Sequence, residues 1–80
     1  MDFVIEKVLA VLSERGQSVK RLTLTSWNGS HAKLDLRTWY MDDTENEQQP
    51  GKGLTISREE AQVLVNALTD YLSGLDRAEA

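Results

Sequence analysis

Two tryptophans and a few cations form the pattern in this sequence that could do chemistry. Arg21, Thr25 and Trp27 fall on alternate positions of one stretch, and Lys33, Arg37 and Trp39 on alternate positions of the next. Successive side chains of an extended chain point to opposite faces, so each trio shares a face. Flat rings set among cations suit a single-stranded nucleic acid. A base stacked on an aromatic ring is worth about 1–3 kcal/mol, and the phosphates need positive charge close by. A plainer reading competes on equal terms: Trp27 and Trp39 would be cross-strand packing partners or part of a dimer interface, and the cations ordinary solvated charge. Pairing register is not visible in a sequence, so the pattern leaves both open.

Other residue types point away from catalysis. His31 is the one histidine and has no spaced carboxylate or second His beside it, so it reads as a solvated turn residue, with no metal site expected. With no cysteine there is no thiolate nucleophile, disulfide or thiolate zinc site, which fits a reducing cytoplasm. Asp42-Asp43-Thr44-Glu45-Asn46-Glu47 carries Glu47 where a calcium loop needs Gly, and reads as a flexible acidic loop. Pro50-Gly51-Lys52-Gly53 fails as a phosphate-binding P-loop, since Asn46 replaces the first Gly and a Gly follows Lys52. It reads as a tight turn that presents Lys52 to a phosphate. No nucleophile or acid–base pair emerges, so neither enzymatic activity nor a cofactor is expected.

The elements that must position these residues follow from periodicity. Arg21 to Trp27 and Lys33 to Met41 alternate as strands, with Leu22 and Leu24 in the first and Leu34 and Leu36 in the second on the face opposite the trios. Asn28-Gly29 is a hairpin turn signal, with Ser30 and His31 extending the loop. Asp42 to Gly53 is polar, holds the only Pro and reads as a long connection before a short strand, Leu54 to Ile56. Ser57 and Glu60 have capping-box spacing; after them Ala61, Leu64, Val65, Leu68 and Leu72 make one helical stripe that Gly74 closes. The Leu-rich sheet face is expected to pack on that helix. The first fifteen residues fit a helical stripe (Ile5, Val8, Leu9, Leu12) and an interrupted strand (Phe3, Ile5, Leu9, Val11) about equally.

Length and charge set the frame. Eighty residues make one domain at most, and a core this small gains from burial against a second chain, so a homodimer is expected, with Leu64, Leu68 and Leu72 at its interface. No apolar run approaches a membrane span, and Met-Asp-Phe is not the start of a secretory signal, so a cytoplasmic location is expected. The net charge of −4 argues against a polyanion partner only if it is evenly spread. It is not: Arg15 to Arg37 holds five basic residues against Asp35, or +4, which leaves −8 for the rest. Charges farther apart than the Debye length of about 8 Å are largely screened, so the positive segment keeps its own field.

The run Leu34-Asp35-Leu36-Arg37-Thr38-Trp39-Tyr40-Met41-Asp42, then Pro50-Gly51-Lys52-Gly53-Leu54-Thr55-Ile56-Ser57 and an acidic helix start, resembles the C-terminal domain of transcriptional positive cofactor four. It is closer still to the small bacterial YdbC-like proteins, which share a segment like Ser26-Trp27-Asn28. The resemblance runs from about Phe3 to Leu72. It implies an α+β fold in which a curved antiparallel sheet of four strands, about 3–13, 20–28, 33–41 and 53–57, is followed by a helix at about 58–73. It thereby resolves the N-terminus as a strand. It also implies a dimer that binds single-stranded DNA largely without sequence preference, in a nucleoid setting. Carried over by position, Trp27 matches the family's aromatic before the hairpin turn, Arg37 the Arg after the Asp-hydrophobic pair, Trp39 and Tyr40 an aromatic pair, and Lys52 the Lys before the last strand. Two departures are a Pro-Gly-Lys-Gly segment one residue shorter than in the eukaryotic cofactor, and Asn28 in place of a basic residue. Trp39 and Tyr40 differ in strand parity, so without a bulge only one can face the ligand. The expected binding residues are thus Arg21, Thr25, Trp27, Lys33, Arg37, Trp39, Tyr40 and Lys52. The pattern leaves DNA against RNA undecided, and a second class stays open: a dimeric module that recruits transcription or replication proteins.

Overall fold

The computed structural model describes residues 2–42 and 47–74. Strands β1 (Phe3–Arg15), β2 (Ser18–Trp27), β3 (Lys33–Asp42) and β4 (Glu47–Ile56) form one antiparallel sheet in the order β1-β2-β3-β4, and helix α1 (Arg58–Ser73) follows. This is the expected α+β architecture of four strands and one C-terminal helix. Residues 43–46 of the acidic stretch, and Asp76 and Glu79, lie outside the described residues. At the β2–β3 connection Asn28 and Gly29 both have positive φ, and the Ser30 amide donates to the Trp27 carbonyl at 3.0 Å. That is the backbone of a primed turn, which Asn-Gly adopts at little steric cost.

β1 explains why its own sequence is ambiguous. Its pairing with β2 shifts by one residue between Ile5 and Lys7, between Val8 and Ala10, and between Val11 and Ser13. The three bulges leave Glu6, Leu9 and Leu12 without direct partners, and each advances the alternation by one step. Phe3, Ile5, Val8 and Val11 therefore come opposite Trp27, Thr25, Thr23 and Arg21, all on one face of β2. A spacing of three imitates a helical stripe, although the backbone is extended.

β4 departs from expectation. The sequence predicts a short strand at 53–57 after a long connection, whereas pairing with β3 begins at Asp42 opposite Glu47 and runs through Tyr40–Gln49 and Trp39–Pro50. The amide-rich segment and Pro50 suggested a loop, but β4 is an edge strand, where a missing N–H costs no ladder bond if it faces outward. Pro50-Gly51-Lys52-Gly53 is accordingly strand and not a tight turn. A register shift between Arg37 and Trp39 sets both Gly51 and Lys52 against Thr38. Glycine is required here by close approach. A Cβ on Gly53 would collide with the Arg37 backbone and Cβ, and one on Gly51 would lie 2.5 Å from the Tyr40 ring.

The helix begins and ends as its sequence dictates. The Glu60 amide donates to Ser57 Oγ at 3.1 Å, the Ser57 amide donates to Glu60 Oε1 at 2.8 Å, and Gly74 closes the helix in the left-handed region. The expectation that α1 covers the Leu-rich sheet face is not met within one chain. Only neighbouring strands pack extensively, and no residue of α1 is buried. The radius of gyration is 15.0 Å, against about 12 Å for a compact chain of this length. The face formed by Leu22, Leu24, Leu34, Leu36 and Leu54 is thus left open, and so is the stripe of Leu64, Leu68 and Leu72. On the opposite face Thr23, Thr25, Asp35 and Trp39 are fully shielded although no helix lies over them. Neighbouring side chains supply much of that cover: Phe3, Trp27 and Arg21 lie against Trp39, and Trp27 and Arg37 against Asp35.

Candidate nucleic-acid interface

Register brings the two trios together. Val19 pairs with Trp39, Arg21 with Arg37, Thr23 with Asp35 and Thr25 with Lys33, and directly opposed residues share a face. β1 adds Phe3 opposite Trp27. The three rings form a cluster. Trp27 and Trp39 stack with centroids 6.2 Å apart and planes 7° from parallel, and Phe3 tilts against both at 5.6 and 5.1 Å. Trp39 is 0% exposed and Trp27 half-buried, so Trp27 presents the accessible ring and Trp39 backs it.

Arg37 lies over that ring, its guanidinium carbon 4.6 Å from the Trp27 centroid. Its Nε and Nη2 donate to the two oxygens of Asp35, the latter at 2.9 Å, and its Nη1 donates to the Gly51 carbonyl at 3.1 Å. Asp35 Oδ2 also accepts from Trp27 Nε1 at 3.2 Å. Asp35 is fully buried, and these bonds supply what a buried carboxylate requires. Trp27, Asn28, Arg37 and Thr55 line an open cleft of about 280 Å³.

Arg21 stands across the strand pair from Arg37. It is 8% exposed, donates from Nη2 to Gln48 Oε1, and places its guanidinium carbon 5.1 Å from the Trp39 ring centroid. Among the side chains the structure describes no carboxylate pairs with it, and desolvation lowers its pKa from the ordinary arginine value. Arg21 Nε and Trp39 Nε1 are buried without acceptors.

The remaining expected residues divide. Thr25 is buried, and its hydroxyl meets that of Thr23 at 2.7 Å, so it braces the face from beneath. Lys33 is exposed at the hairpin end, on the same face by register. Lys52 is exposed at the β4 bulge. Tyr40 pairs with Ser18 in unbroken register, so it lies on the face opposite Trp39; it is exposed there and packs over Gly51. The bulge that could have realigned it sits on β4 instead. Among the described residues no cluster of His, Cys, Asp or Glu could hold a metal ion, and no helix is long and apolar enough to cross a membrane.

Sequence reasoning passed over Phe3 and Asp35. Phe3 joins the ring cluster only through a register that counts three bulges. Asp35 entered the charge count as a subtraction, although its alternation with Arg37 and Trp39 already placed it on their face.

Comparison with known proteins agrees with this geometry. A search of curated proteins finds no match. The family model for transcriptional coactivator p15 (PC4) matches residues 15–67, which span β2, β3, β4 and the N-terminal part of α1. That match covers more than half of the 80 residues, and the chain belongs to the transcriptional coactivator p15 (PC4) family.

Proposed function

We propose that this protein binds single-stranded DNA, largely without sequence preference, and that it does so as a homodimer serving transcription regulation or DNA replication and repair. The observation that carries the reading is the half-exposed Trp27 ring beside Arg37 in an open cleft, on a face that also holds Arg21 and Lys33. A base stacks on Trp27, and the exposed cations Lys33 and Lys52 meet phosphates. The family's description as a transcriptional coactivator supports the transcription setting.

Titration of tryptophan fluorescence with oligo-dT at several salt concentrations tests the binding. Quenching at low salt is expected, with the logarithm of affinity falling by about 0.7 per released phosphate counterion for each decade of salt. Absence of quenching, or affinity indifferent to salt, overturns the reading. The same titration with oligo-U decides between DNA and RNA, since a requirement for 2′-OH contacts would favour the latter.

The uncovered apolar surface supports the homodimer. A second copy offers its helix stripe to the open Leu face and receives the same in return, which is how a two-fold interface completes two small cores at once. Light scattering should give about twice the 9.0 kDa chain mass. A monomer at micromolar concentration contradicts this. The same apolar face favours one other reading, recruitment of transcription or replication proteins. Partners that stay bound after nuclease treatment support it, and partners lost on that treatment support the first.

A further inference from the structure

Simple charge counting makes Asp35 a defect in a polyanion-binding face and Arg37 a phosphate contact. The geometry gives both a different role. Arg37 has five N–H donors, and three are committed to Asp35 and the Gly51 carbonyl. Its positive charge is matched by a fully buried carboxylate in contact with it. Its flat guanidinium is held over the Trp27 ring, while the same carboxylate accepts from Trp27 Nε1. One side chain thus fixes the orientation of both groups that line the cleft, and neutralises the cation that stands opposite Arg21 in the strand pair.

We propose that Asp35 is the positioning residue of the nucleic-acid face. It locks Trp27 and Arg37 into a preassembled stacking shelf, in which Arg37 serves as a planar platform and not as counter-charge to a phosphate. This rests on the single-strand reading above, and the two make separable claims. Affinity lost on disturbing Asp35 is lost from stacking, and the salt dependence of binding belongs to the exposed lysines and not to Arg37.

The decisive variant is Asp35→Asn, which is nearly isosteric. Removing a negative charge from a polyanion-binding face should tighten binding if Coulomb attraction governs the site. The shelf predicts the reverse: oligo-dT affinity falls roughly tenfold, the size expected for a lost cation–π and stacking arrangement. Equal or tighter binding overturns the proposal. In the free protein, the near-UV circular dichroism of the Trp27–Trp39 pair should weaken in Asp35→Asn while the far-UV spectrum is retained. An unchanged near-UV spectrum overturns the positioning role whether or not nucleic acid binds. Arg37→Lys keeps the charge and loses the planar fork, so it decides the matter even if Asp35→Asn fails to fold. Roughly tenfold weaker binding with an unchanged salt slope is expected, whereas a phosphate contact would tolerate lysine, and near-wild-type affinity overturns the proposal. Lys33→Gln serves as the control, with the slope shallower by about 0.7. If the unmodified protein fails to bind oligo-dT at low salt, the single-strand reading fails and the near-UV comparison still decides the positioning.

Discussion

The two tryptophans have the same chemistry and different surroundings, and their substitutions should separate accordingly. Trp39 is fully enclosed between Phe3, Trp27, Arg21 and the strands, so Trp39→Ala should cost about 3–5 kcal/mol in urea unfolding, the range for deleting a large buried ring. Trp27 is half-exposed. Trp27→Ala should weaken binding to every homopolymer alike by about 1–3 kcal/mol, with a smaller loss of stability than Trp39→Ala. If Trp27→Ala unfolds the protein, its packing role is the dominant one. Alternation in the sequence is enough to put Arg21 with Trp27 and Arg37 with Trp39, and the hairpin register then joins the two pairs on one face. It could not tell which ring would be covered, because that depends on sheet curvature and on Phe3 arriving from a strand whose register the pattern conceals. Nor could it show Arg37 already engaged, since alternation places Asp35 two residues away without revealing that its carboxylate turns back to grip the guanidinium.

At the scale of elements, legibility follows how local the signal is. The helix was readable to its ends because a capping box and a C-terminal glycine act within one turn. Ser57→Ala removes one of the two reciprocal bonds and should cost about 1 kcal/mol, measurable as a lower urea midpoint with loss of helical signal. The β2–β3 hairpin was readable for the same reason, through Asn28-Gly29. β1 and β4 were not, and in both the obstacle is the bulge. Period-two patterning presumes unbroken pairing, while β1 breaks phase three times and β4 once opposite Thr38. β4 adds the misleading signal of a proline among amides. On an edge strand that composition is tolerated and helps keep an open edge from pairing with other chains.

As a whole molecule, the described chain is unfinished: no residue of its helix is buried, and the leucines of its sheet face are at most half-buried. In the proposed dimer a charge in the helix stripe should separate the subunits. Leu68→Asp is expected to scatter as a monomer and to melt at lower temperature, since a fully buried leucine is worth about 1.5–3 kcal/mol. Val19, Trp39 and Ile56 are the buried hydrophobic residues among those described, and the other shielded positions are Arg21, Thr23, Thr25, Ser26 and Asp35. Most of that layer is the face that carries the tryptophans, so the groups that hold the sheet together are largely those of the proposed binding face. Occupancy and folding are therefore linked. An oligonucleotide at about 100 times its Kd should add roughly 2.7 kcal/mol of stability, seen as a rise in Tm that a duplex of equal length does not produce. The same arrangement limits how the protein can diversify. Interior positions of this face cannot change their chemistry without endangering the fold, so new preferences can accumulate only at its margins, where Lys33 and Lys52 are exposed.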